Sequence, residues 1–284
     1  MSIKVKDIGQ KNGKMVVFGG CYSNLQSLEA FYKIIQKENI PAANIIHTGD
    51  LIGYCASPVE CTDLIEKWGI HCIKGNVEEN ILTGSDDCGC NYVEGGRCEM
   101  FSRSWFPYAK SQVTDQNRAF LEQMPDRIDF TYAGQKVSVI HGSTDYISEF
   151  VFESTPWKVK ERSFATTDAD VILSGHCGIP FADTQQGKTW LNAGVIGMPA
   201  NDGTPYVWYL VLNDELGTLT YEFKRYEYDN FEANQLMMEH SLPWSYAETL
   251  MTGIWDNTEI LPLYETKRQG VPLVHLLDGQ GLMA

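Results

Sequence analysis

The chain has 284 residues, 43% of them hydrophobic and 21% charged, which is the balance of a folded globular protein and excludes a disordered or fibrous one. Its formal net charge is −15 with a pI near 4.8, so its long-range field repels polyanions and argues against nucleic acid polymers and anionic membranes as partners. No apolar stretch approaches the roughly 20 residues that span a bilayer, residues 1–13 are too polar for a signal-peptide core, and eight Cys without a secretion signal read as reduced thiols or metal ligands, so a cytoplasmic protein is expected.

A polar leader runs to Gly13, and Met15 to Phe18 reads as the first strand. A helix follows from about Asn24 to Glu38, with Leu25, Leu28, Phe31, Tyr32 and Ile35 on one face and Ser23 and Gln26 in capping-box positions. Ile45 to His47 is the next strand, which makes the opening a βαβ unit on a parallel sheet. Ser57 as cap and Pro58 in the first turn open a second helix, whose Cys61, Leu64, Ile65 and Trp68 lead into a strand from His71 to Ile73. Residues 78–112 lack a sustained period and are rich in Gly, Asp and Cys, so they read as an excursion over a crevice with a short helix or two.

Regular structure returns with a helix near Asp115 to Gln123, a hairpin from Phe130 to Ile140, and a buried strand from Val171 to Ser174. Beyond Lys188 the pattern alternates in Trp190 to Asn192, Tyr206 to Leu212 and Leu219 to Tyr226, which predicts a second, more antiparallel sheet packed on the first. Residues 230–284 form a tail with two predicted helices, Phe231 to Glu239 and Tyr246 to Ile254. No repeat or low-complexity linker divides the chain, so residues 1–284 are expected to fold as a single domain.

Several strands end alike, in Gly49-Asp50, Gly75-Asn76, His141-Gly142 and Gly175-His176. In open α/β sheets, ligands bind where strand carboxyl ends meet their loops, so these ends are expected to converge. Asp50, Asn76, His141 and His176 would then offer two oxygens and two imidazole nitrogens, a set suited to Mn, Fe or Zn rather than Mg or Ca.

On Gly49-Asp50-Leu51-Ile52-Gly53-Tyr54, Gly75-Asn76, Val139-Ile140-His141-Gly142-Ser143 and Gly175-His176-Cys177-Gly178, the chain resembles the calcineurin-like metallophosphoesterases, particularly their small phosphodiesterase and diadenosine-tetraphosphatase-like group. The likeness runs from about Val16 to Gly203, and Asn192-Ala193-Gly194-Val195-Ile196-Gly197 is similar to the family's closing loop. It implies a four-layer α/β/β/α sandwich with two central mixed sheets and a metal centre at one edge. It also implies two metals bridged by Asp50, the second held further by Asn76, His141 and His176.

The first metal's ligands are missing. The family's opening Asp-x-His falls on Gly20-Cys21-Tyr22, the second His of Gly-His-x-His falls on Gly178, and the His that follows Asn is Val77. Three readings stay open. One divalent transition metal can serve a mononuclear hydrolase, with His141 and with Glu78 or His47 as acid or base. A rebuilt first site can draw on Cys21, Tyr22 and Cys177, or on Cys88, Cys90 and Cys98 of the excursion. A catalytically impaired member can act as a binding scaffold. The expected substrate is a small, nucleotide-like phosphomonoester or phosphodiester, with Arg97, Arg103 and Arg118 as candidate phosphate contacts, and a homo-oligomer is allowed.

Overall fold

The computed structural model describes residues 3–90, 92, 94–277 and 281–282. In chain order its first half comprises β1 (Val5–Lys11), β2 (Met15–Phe18), α1 (Leu25–Lys37), β3 (Ile45–His47), α2 (Pro58–Trp68), β4 (His71–Cys72), α3 (Asn76–Thr83), α4 (Arg97–Gln112) and α5 (Asp115–Gln123). The second half comprises β5 (Arg127–Tyr132), β6 (Gln135–Val139), α6 (Trp157–Thr167), β7 (Val171–Ser174), β8 (Phe181–Gln185), β9 (Lys188–Asn192), β10 (Val207–Asn213), β11 (Thr220–Tyr226), α7 (Asn230–Glu239), α8 (Trp244–Thr252), α9 (Leu263–Thr266) and β12 (Gly281–Leu282). One mixed sheet has the order β1-β5-β6-β7-β9-β8, and the other β12-β11-β10-β2-β3-β4.

Strand alternation sorts these elements into four layers. Met15 and Val17 of β2 pack with Ile128, Val137, Val139, Val171 and Leu173 between the two sheets. Val16 and Phe18, on the opposite face, pack with Leu28, Phe31 and Ile35 of α1 and Cys61 and Ile65 of α2. Phe164 of α6 covers Ile172 and Trp190 on the outer face of the first sheet. Phe31 anchors α1 through rings 4.7 Å from Phe18 and 5.1 Å from Tyr209, a contact worth more than its buried area alone. The tail closes on the same core through Ala233, Met237, Tyr246 and Leu250. No helix among the described residues is long and apolar enough to cross a membrane.

Four expectations need correction. The polar leader contains β1, an exposed edge strand paired in parallel with β5; its mostly polar sequence suits an uncovered edge and hides it from a hydrophobic pattern. The cap of α1 is Asn24, whose side chain accepts from the Ser27 N–H, rather than Ser23. The excursion is largely helical, because α4 buries Cys98, Ser102, Trp105, Phe106 and Ala109 at helical spacing, and the small or polar members of that stripe, with Pro107 inside it, mask the period. The late strands do not make a sheet of their own. β9 runs parallel to β7, while β10 pairs antiparallel with β2. Nearly all of β10 is buried, as befits a strand covered on both faces rather than an edge.

Candidate metal centre

β3 delivers its chain into a turn that ordinary residues avoid. Gly49 has φ of 94° and Asp50 has φ of 60°, so a carboxylate is held in the left-handed region at the strand's end. A side chain at Gly49 would strike the His141 ring and the Gly75 backbone, and one at Gly75 would strike the Asp50 carboxylate. The turn therefore packs against the start of α3, where the Val77 N–H donates to Asp50 Oδ1 at 3.3 Å.

Four donor atoms converge above it. His141 Nε2 lies 3.2 Å from Asp50 Oδ2, 3.1 Å from Asn76 Oδ1 and 3.2 Å from His176 Nδ1. The ligand atoms of Asp50, His141 and His176 all lie within 4.8 Å of one another, and all four residues are buried. The tautomer of His141 follows from its other nitrogen. Nδ1 is 2.7 Å from the Thr48 carbonyl, which can only accept, so Nδ1 carries a proton and Nε2 is the nitrogen that faces the cluster and ligates in the neutral ring. His176, also in the left-handed region at φ of 62°, stacks on Phe150 at 4.2 Å.

Asn76 is oriented by the excursion. Its Nδ2 donates to the Cys88 carbonyl at 2.8 Å and to Cys90 Sγ at 3.2 Å, which leaves Oδ1 facing the cluster. Cys88-Gly89-Cys90 thus acts on the amide of Asn76. Cys90→Ala removes one of the two acceptors and is expected to weaken metal binding about tenfold, measured by competition with a chromophoric chelator, with the fold retained by circular dichroism.

The electrostatics are those of a site awaiting positive charge. Burial disfavours charge on Asp50, yet the His141 imidazole holds its carboxyl below the usual range. Burial also opposes charge on His141, and the Asp50 carboxylate outweighs it and raises the imidazole. His176 is pushed down to about 3 by burial and by the adjacent His141, so it presents a neutral nitrogen. Two oxygens and two ring nitrogens packed around one buried point beside the Asp50 carboxylate fit one transition-metal cation, which would take the place of any proton on His141 Nε2.

The other predicted residues divide into those near this point and those away from it. Glu78 is fully buried behind the turn: its Oε2 accepts from the N–H groups of Asp50 at 2.9 Å and Gly75 at 2.8 Å, and its Oε1 from Ile52 at 3.0 Å. Burial and the nearby Asp50 push it up to about 7. His47 lies under the turn, fully buried against Phe18 at 5.0 Å, and burial pushes it down to about 3. Arg97 pairs with Asp256 at 2.5 and 2.6 Å, Arg103 pairs with Glu99 on its own helix, and Arg118 donates to the Ile81 carbonyl. None of the three lines the crevice beside the centre.

Aromatic rings occupy the side of the missing ligands. Tyr22, at the position of the family's His, turns its ring onto Gly20, at the position of the family's Asp, so a side chain at Gly20 would collide with it. Gly178, at the position of the second His, lies under the Trp255 indole, and a Cβ there would sit 3.3 Å from the ring. Trp255 is pinned by Nε1, which donates to the Pro199 carbonyl at 2.8 Å. Burial raises the Tyr22 phenol and the Cys21 and Cys90 thiols, and pushes Cys177 up to about 12, so these groups stay protonated in this environment. Cys90, Cys98 and Cys177 line the crevice, but no Cys among the described residues joins the Asp50, His141 and His176 cluster.

Thr48, Phe150 and the crevice face of Trp255 were missing from the sequence reading. Thr48 acts through a backbone carbonyl, which no side-chain motif records. Trp255 comes from the folded-back tail, far from every motif.

Comparison with known proteins agrees with this geometry. Residues 14–215 match the calcineurin-like phosphoesterase superfamily domain. An uncharacterised protein of Methanocaldococcus jannaschii is 26% identical over 256 residues, which is 84% of this chain and 98% of that protein. The fold is shared with a metallophosphoesterase from Sphaerobacter thermophilus (20% identity, TM-score 0.65, covering 86% of this chain and 100% of that one). A hypothetical protein from Pyrococcus horikoshii also shares it (16% identity, TM-score 0.71, covering 85% and 99%). With more than half of its length matched, the chain belongs to the calcineurin-like phosphoesterase superfamily.

Proposed function

We propose that this protein is a metal-dependent phosphoester hydrolase that works with one divalent transition metal, Mn, Fe or Zn, held by Asp50, Asn76, His141 and His176, on a small phosphorylated molecule. The reading is carried by one observation: the four donors of one site are complete, buried and oriented, while Gly20, Tyr22 and Gly178 stand where the family's further ligands would be. Bound there, the cation would polarise a phosphoryl oxygen and lower the pKa of a water.

The protein's own residues supply the rest. The Thr48 carbonyl fixes the His141 ring, Cys88 and Cys90 fix the Asn76 amide, and Glu78 fixes the backbone that carries Asp50. Phe150 stacks on the His176 ring and shields it from bulk water. Held this way, the donors lose little freedom when they bind, which is what preorganisation contributes to a reactive centre.

Element-resolved metal analysis together with turnover on a phosphoester panel tests this reading. One transition metal per chain with hydrolysis supports it. Two metals per chain would favour a rebuilt first site, and one metal without turnover on any phosphoester would favour a binding scaffold.

A further inference from the structure

The crevice beside the proposed metal site is lined by Asp50 and His176 of the cluster itself and by four tyrosines, Tyr22, Tyr54, Tyr92 and Tyr246. Among the described residues lining it there is no Lys or Arg, so a neutral group must supply any hydrogen bond from this lining to an anionic ligand. Most of the donors are already engaged. The Trp255 indole donates to the Pro199 carbonyl at 2.8 Å, and the Thr249 hydroxyl faces the Ser245 and Ile254 carbonyls at 3.0 and 2.9 Å. Cys98 donates to Asn257 at 3.4 Å, Cys177 to the Ile179 carbonyl at 3.5 Å, and the hydroxyls of Tyr54 and Tyr92 meet at 3.2 Å.

The Tyr22 hydroxyl has no hydrogen-bond partner among the described residues, and it is not sealed from the crevice as the unpartnered nitrogens of His47 are. Its place among the four tyrosines is distinct. After burial, the Asp50 carboxylate is what raises the Tyr22 phenol, whereas the leading neighbour is Cys90 for Tyr54 and Tyr92, and Cys98 for Tyr246. Tyr22 is therefore the tyrosine that faces the metal-binding carboxylate, with its hydroxyl proton in place.

The surrounding chain holds the ring there. Tyr22 has φ of 52°, a conformation that is costly for a bulky side chain and persists only where its surroundings impose it. Its N–H donates to the Asp50 carbonyl at 3.2 Å and its carbonyl accepts from the Cys55 N–H at 2.9 Å, which ties its backbone to the Asp50 turn. Three glycines make room for the side chain. A Cβ at Gly20 would collide with the ring edge, one at Gly53 would sit 2.9 Å from the ring, and one at Gly197 would sit 2.7 Å from the Tyr22 Cβ. Tyr54 braces the ring edge-on at 4.7 Å. A hydroxyl carried on a ring seated this tightly loses little freedom when it binds a ligand.

We propose that Tyr22 is a catalytic residue of this centre: its hydroxyl donates a hydrogen bond to an oxygen of the phosphoryl group held at the metal site. The proposal rests on the phosphoester hydrolase reading and adds a contact that the four metal-site donors do not supply. A hydrogen bond to a charged oxygen contributes about 10–100-fold in affinity.

The test removes the hydroxyl and keeps the ring. Wild-type protein and Tyr22→Phe, loaded with the same transition metal, are each titrated calorimetrically with inorganic phosphate and assayed on 4-nitrophenyl phosphate and bis(4-nitrophenyl) phosphate. Metal content and the denaturation midpoint are measured beside them. The expected result is phosphate binding about 10–100-fold weaker in Tyr22→Phe, and kcat/KM at least about tenfold lower on whichever ester the wild type turns over, with metal content and midpoint unchanged. A ring that only packs would leave phosphate binding where it was. Equal phosphate affinity in the two proteins overturns the proposal, as does failure of the metal-loaded wild type to bind phosphate. Loss of metal from Tyr22→Phe makes the phenol a ligand and overturns it in favour of a rebuilt first site. Weaker phosphate binding by Tyr22→Phe, where the wild type turns over neither ester, keeps the hydroxyl as a phosphate contact and overturns the hydrolase reading instead.

Discussion

Changing His176 to Ala is expected to reduce bound transition metal from about one per chain to near zero. His176 Nδ1 lies 3.2 Å from His141 Nε2, so both nitrogens face the same point, and no further imidazole among the described residues joins the cluster to replace it. Disturbing a residue that merely supports a ligand costs about 10–100-fold in metal affinity, so deleting a ligand should exceed about 100-fold. Metal content after dialysis, read element by element, measures this directly. The same substitution removes the ring stacked on Phe150, so the metal-free protein should lose only about 0.5–1.5 kcal/mol of stability in a denaturant titration. A variant that keeps its metal would place the binding site elsewhere, with the Cys of the excursion the first place to look.

The four donors were legible because each sits where a strand ends in Gly beside a polar residue, a pattern with a physical reason. Gly49 and Gly75 are glycine because the Asp50 carboxylate, the His141 ring and the α3 backbone crowd into one turn. The absence of the first metal's ligands was equally legible at Gly20, Tyr22 and Gly178. What fills that space was not. Trp255 reaches Gly178 only because the tail folds back over the crevice, and a Trp in a tail carries no sign of which glycine it will cover. Sheet membership was hidden for a related reason. β10 announces a fully buried strand, but its pairing with β2 joins segments from opposite ends of the chain, and strand pattern alone does not encode that choice. β1 stayed hidden because an exposed edge strand needs no apolar stripe.

On the one-metal reading proposed above, aromatic rings stand on the side where the family's further ligands would lie. In a two-metal centre the ligand sets share Asp50, so loss of one cation would leave a buried, partly solvated gap against the carboxylate. Tyr22 and Trp255 line the crevice beside Asp50 and His176 with neutral ring surface.

The role of Glu78 separates by substitution. As a proton donor or acceptor it would tolerate Gln structurally and lose turnover outright. As the group that satisfies three buried N–H donors, those of Asp50, Ile52 and Gly75, it should show graded stability losses instead. Glu78→Ala leaves all three unpaired, each worth about 1–3 kcal/mol, so with some water entry a net loss of about 3–5 kcal/mol is expected. Glu78→Gln can keep its oxygen toward Asp50 and Gly75 while its amide nitrogen confronts the Ile52 donor, for a loss of about 1–3 kcal/mol. Chemical denaturation of the metal-free variants reads these differences. Because the Asp50 turn depends on the same hydrogen bonds, metal affinity should fall in the same order, Ala below Gln below Glu. Wild-type stability and full metal content in Glu78→Gln, combined with abolished hydrolysis, would return Glu78 to the proton-transfer role. Parallel decline of stability, metal affinity and turnover would mark it as the brace that holds Asp50 in its left-handed turn.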